Sequence, residues 1–160
     1  MIGKSLSALM ILMSAVVAVG QTKSYKSPNK PIRALVIPVG ARGYETYESR
    51  VEIRSSTGAL LRRKSFASRD HNHGEGVGHA EWTPNGRVFV FNTNSSGGHQ
   101  PWHYFTYVYS TRTNKFYKLD SIVGAITSDF ELRGDSLVAT RLASAGGKDV
   151  PVTVRLSRWH

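Results

Sequence analysis

The chain of 160 residues contains no cysteine. That absence excludes disulfide staples, a thiolate nucleophile and any cysteine-ligated metal. Stability must then come from a hydrophobic core, which favours one domain using most of the length over a small cross-linked scaffold. Runs of five like charges are also missing, although Lys and Arg outnumber Asp and Glu by 21 to 11. The basic excess is therefore dispersed over the chain and not gathered into a tail. No G-x-S-x-G, phosphate loop or H-E-x-x-H occurs, so the sequence announces no serine hydrolase, nucleotide site or zincin. Beyond residue 20 no stretch longer than about ten residues carries helical periodicity.

What is present begins with a targeting pattern. Lys4 supplies a positive start, Ala8 to Val19 is apolar except for Ser14, and Ala18 and Gly20 place small residues before a cut that leaves Gln21 first. The apolar stretch falls short of the roughly 20 residues a comfortable membrane span needs. The expectation is a signal peptide at residues 1–20, with no transmembrane segment in the mature chain. It implies an exported protein, periplasmic or extracellular. Residues 21–31 are polar and contain prolines, and read as a leader. Residues 32–160 read as a single all-β domain.

Short strands fill that domain. Ala34 to Val39 is a buried run with Pro38 at its edge or end. Val51, Ile53 and Ser55 alternate with Glu52 and Arg54, the pattern of a half-buried strand. Thr57-Gly58 turns the chain. The clearest hairpin is His79 to Phe91, bent at Asn85-Gly86, where the turn demands positive φ. A second bends at Thr113-Asn114 between Tyr104 and Leu119, and a third at Gly134-Asp135 between Phe130 and Arg141. Val150 to Leu156 makes a last strand, and Asp120 to Ala125 has room for one helical turn. Trp82 and Phe89 flank the Asn85-Gly86 turn as core residues. The Asn85-Gly86 and Gly134-Asp135 turns lie 49 residues apart, alternating with a second pair 56 apart. Repeats of roughly 40–50 residues with four strands each mark propeller blades.

The segment Glu81-Trp82-Thr83-Pro84-Asn85-Gly86-Arg87-Val88-Phe89-Val90-Phe91 resembles the W-S-P-D-G strand pair of TolB-like and WD40-like β-propeller repeats. Tyr107 to Leu119 is similar to the outer strands of such a blade. The resemblance covers about 40 residues well and about 100 loosely. It implies antiparallel hairpins in a partial propeller-like or curled sheet or sandwich architecture, and it implies no activity, since such blades serve binding and catalysis alike. Closed propellers have four or more blades, whereas this chain has material for two to three, which leaves sheet edges to be covered.

Five of the six histidines fall between Asp70 and His103. His71, His73 and His79 supply enough imidazoles for a zinc ion if the glycine-rich loop around them is ordered; the other reading is a polar connection. Ser96-Gly97-Gly98-His99-Gln100-Pro101-Trp102-His103 sets two imidazoles beside an indole. That combination suits a ligand through stacking and hydrogen bonding; otherwise Trp102 starts a strand and the histidines are scaffold. A similar string occurs in exported bacterial proteins and brings no activity with it. His99, Trp102, His103 and His79 are the candidate ligand contacts. No cofactor is expected apart from this zinc option.

The net charge of +10 favours anionic surroundings. Partners in keeping with it are an anionic envelope polymer, a glycan or a protein, while nucleic acid is not expected. The leading functional reading is an exported non-enzymatic binding or interaction module presenting the His/Trp loop. The alternatives are a metal-dependent hydrolase using the histidine cluster and a basic envelope-associated structural protein.

Overall fold

A computed structural model describes residues 21–39, 48–71, 73–96, 104–143 and 147–159. They form three antiparallel sheets, in keeping with the all-β expectation. The first sheet is β1 (Lys23–Lys26), β2 (Ile32–Val39), β3 (Glu48–Ser55) and β4 (Leu60–Ser65). The second is β5 (Glu75–Trp82), β6 (Val88–Ser95), β7 (Phe105–Ser110) and β8 (Lys115–Lys118). The third is β9 (Glu131–Arg133), β10 (Ser136–Leu142) and β11 (Asp149–Arg155). Within each sheet the strands lie side by side in chain order. A single helical turn, α1 (Asp120–Val123), follows β8, and a 3-10 turn at Leu156–Trp159 closes the described chain. No barrel closes among the described residues.

Period-two alternation explains how the sheets stack, because successive side chains of a strand point to opposite faces. On β6, Phe89 and Phe91 join Ala34, Val36, Val51 and Ile53 of the first sheet, with Trp82, Tyr107 and Tyr109 beside them. Val88 and Val90 turn the other way and join Leu137, Ala139, Val154, Leu156 and Trp159. The second sheet is therefore the middle layer, with one aromatic and one aliphatic face. Trp82 and Phe89 are core residues, as the sequence predicts, and stand opposite each other in the β5–β6 register.

The expected turns are all present. Gly58, Gly86 and Gly134 have positive φ, and Asn114 has φ 52°. Pro38 pairs with Ser49 of β3, but β1 covers β2 only from Arg33 to Val36, so the proline sits where β2 has one neighbour. That is where a residue without an N–H is tolerated.

One segment departs from its sequence reading. Residues 21–31, polar enough to read as a leader, are built into the fold. Lys23 to Lys26 pair with β2, and the carbonyl of Tyr25 accepts the indole N–H of Trp82 at 2.9 Å. The following turn docks on the Asn85-Gly86 turn, with Ser27 Oγ donating to the Gly86 carbonyl at 3.1 Å and Asn29 Nδ2 to the Pro84 carbonyl at 3.2 Å. Backbone pairing and an aromatic anchor hold this strand, and hydrophobic patterning contributes little to it.

Candidate binding surface

β3 turns Val51 and Ile53 to the core, which sends Arg50, Glu52 and Arg54 to the outer face of the first sheet. Register brings Arg63 of β4 opposite Glu52. Three guanidinium groups thus meet one carboxylate. Glu52 Oε1 lies 3.0 Å from Arg50 Nε and 3.1 Å from Arg63 Nε, and Oε2 takes Arg54 Nε at 2.8 Å and Nη2 at 2.5 Å. Arg54 also donates through Nη1 to the Gly58 carbonyl at 2.8 Å. Although it points away from the core, Glu52 is only 1% exposed, because the arginines cover it. Burial pushes its carboxyl up, but the hydrogen bond from Arg54 and the three positive charges outweigh this and hold it below the usual glutamate range.

Three cations on one anion leave a surplus of two positive charges. Arg50 and Arg63 both approach through Nε, so their terminal Nη groups are not spent on Glu52. Their side chains are 34% and 51% exposed. Arg63 is oriented by its Nε hydrogen bond to Glu52 and Arg50 is held there by charge, so two guanidinium groups remain for carboxylate or phosphate oxygens. Arg62 and Lys64 project to the opposite face, as strand alternation requires of the Arg62-Arg63-Lys64 trio. There the Lys64 ammonium lies over the rings of Phe66 and Tyr107 at 5.4 and 5.0 Å.

The histidines lie elsewhere. Glu48, at the start of β3, is a buried carboxylate gripped by the loop after β4. It accepts from Ser68 Oγ at 2.5 Å, Ser68 N at 2.9 Å and Gly74 N at 2.6 Å, and more distantly from Ser96 Oγ at 3.4 Å. Burial raises its pKa, yet these bonds together with His71 hold it below the ordinary glutamate value. His71, at φ 58°, turns Nδ1 to within 3.4 Å of Glu48 Oε2. His73 pairs instead with Asp70 at 2.6 Å. His79 Nδ1 lies 3.0 Å from Asp129 Oδ1, and its ring stacks on Phe130 with centroids 4.3 Å apart. Asn92 completes that corner, receiving the His79 N–H and donating to Asp129 at 2.6 Å.

The zinc expectation for His71, His73 and His79 thus meets a different arrangement. Each imidazole has a carboxylate of its own, and no group of three potential ligands forms among the described residues. The reason is positional. His79 is fixed on β5, whereas the loop carrying His71 and His73 folds around Glu48. His79, also expected to meet a ligand, makes its contacts within the protein and ties the second sheet to the loop before β9. His99, Trp102 and His103 lie outside the described residues, between Ser96 and Tyr104.

Compared with protein families, curated proteins and solved structures, the chain matches none. The site therefore has to be read from its own chemistry. Sequence reasoning placed Glu52 and Arg54 on the outward side of a strand but missed the cluster. The signal was the alternation Arg50, Glu52, Arg54 beside Arg63. Reading it requires the β3–β4 register, which shifts at an irregularity between Ile53 and Arg54.

Proposed function

We propose that this protein is an exported, non-enzymatic binding module for an anionic partner, engaged through the outer face of its first sheet. The observation that carries the reading is the Glu52 cluster, in which one carboxylate gathers three arginines and leaves two positive charges over. Export and removal of the leader rest on the Lys4, Ala8–Val19 and Ala18/Gly20 pattern, and an intact mass of the secreted form that includes Met1 to Gly20 would refute cleavage before Gln21. The three successive meanders are read as blade-like units, in keeping with the TolB-like and WD40-like resemblance. What supports this is their sequential strand order and face-to-face stacking. The histidine-based hydrolase is disfavoured because His71, His73 and His79 do not gather into a group of three potential ligands among the described residues.

Titration of the purified protein with two polyanions, polygalacturonate and polyglutamate, tests the reading. At low salt at least one should bind, and binding should fall steeply as salt rises, since exposed charges are screened within about 8 Å at physiological ionic strength. Arg50→Ala and Arg63→Ala should each weaken it roughly tenfold, the scale of one charge-assisted hydrogen-bonding group, with a melt of each variant to confirm folding. Failure of both polyanions to bind at low salt would overturn the reading.

A further inference from the structure

Sheet order leaves β4 at an edge, and among the described residues no strand pairs with its outer side. The register fixes which backbone groups are on offer. Phe66 N–H bonds to the Ser49 carbonyl at 2.9 Å. In an antiparallel ladder the residues that bond inward alternate with those that bond outward. Lys64 and Arg62 therefore bond to β3, while Arg63 and Ser65 point their N–H and C=O groups away from the sheet. Five of the six residues of β4 are exposed. Leu60 and Leu61 are two of the three large exposed hydrophobic side chains among the described residues. Beside Leu61 lies a cavity of about 370 Å³ that Ile32 and Tyr109 also line.

Such an edge is a template for strand addition, and its charge selects what can be added. A second copy of β4 would set Arg62, Arg63 and Lys64 against themselves, and like charges directly opposite are destabilising. A strand with acidic side chains on the outer face would instead gain a cross-strand pair with Arg63, while Arg62 and Lys64 lie on the other face. We propose that the anionic partner is an extended acidic polypeptide segment that adds to β4 as a fifth strand of the first sheet. Its acidic side chains alternate with apolar ones, the acidic set meeting Arg63 and the apolar set reaching toward Leu61. This rests on the reading of the first sheet as an anion-binding surface and names the partner's chemistry.

The test uses unmodified protein and a labelled ten-residue peptide of alternating Glu and Val. Two further versions carry N-methyl groups on every second backbone nitrogen, one on the even positions and one on the odd. Only one set of peptide N–H groups can face β4. One N-methylated version should therefore lose roughly tenfold or more in affinity and the other very little, with the amides of Arg63 and Ser65 becoming protected from exchange when the parent peptide binds. Equal binding of all three peptides without that protection would mean attraction by charge alone and would overturn strand addition. Binding of polygalacturonate but not of the peptide would also overturn it, leaving the anion-binding surface intact. If neither the peptide nor either polyanion binds, the anion-binding surface itself fails.

Discussion

Glu48 and Glu52 stand four residues apart on β3, and both stay ionised while buried, one among backbone N–H and hydroxyl donors and the other among arginines. Their folded pKa values lie below the ordinary glutamate value of about 4.5. The stability they contribute is therefore complete above that value and lost as pH falls through the depressed one. Melting temperature should decline as pH falls below about 4.5, and Glu48→Gln should flatten that decline. An unchanged slope in the variant would show that Glu48 is not among the groups responsible. Trp82→Ala should cost roughly 3–5 kcal/mol, as truncation of a large buried aromatic does, read from chemical denaturation. Trp82 and Phe89 were legible because apolar residues on strands flanking a turn have only the core to face. The burial of Glu52 was not legible. It depends on arginines from two strands meeting in register, and no local pattern encodes a cross-strand register.

Turns were the most legible elements, because their chemistry is contained in two or three consecutive residues. Asn85-Gly86 and Gly134-Asp135 each demand positive φ, and the chain supplies glycine at both. The two glycines should nevertheless differ in their tolerance of change. A Cβ at Gly134 would meet nothing within 4 Å, so Gly134→Ala pays only for the left-handed backbone, about 1 kcal/mol. A Cβ at Gly86 would lie 2.5 Å from Ser27 Oγ and 3.0 Å from the backbone nitrogen of Asn29. Gly86→Ala should thus cost clearly more, and equal melting temperatures for the two variants would refute the docking of the 27–29 turn on this hairpin. Strand β1 was illegible for the converse reason. Lys-Ser-Tyr-Lys has one apolar ring, and its place is set by pairing with β2 and by an indole 57 residues away. Among the candidate site residues, His71 and His73 were legible as a loop, but the carboxylates that claim them were not, since Glu48 approaches from another strand.

At the scale of the molecule, residues 21–31 are structural, so a chain beginning at Ile32 should lose the Tyr25–Trp82 bond and melt well below one beginning at Gln21. The layering itself was beyond the sequence, which shows that the first half of β6, Val88 to Phe91, is apolar on both faces but not which sheets lie on its two sides. The middle layer has no side of its own for water. Phe89, Phe91, Tyr107 and Tyr109 belong to one interface and Val88, Val90 and Val108 to the other, so neither outer sheet can leave without baring a wall of apolar side chains. The three sheets should therefore come apart in a single all-or-none transition. Near-ultraviolet circular dichroism reports the aromatic interface, far-ultraviolet dichroism reports all three sheets, and the two unfolding curves should superimpose. An aromatic signal lost ahead of the strand signal would mean that the first sheet detaches alone. By the same logic the fragment 75–118, cut free with both walls bare, should precipitate where the full chain stays in solution.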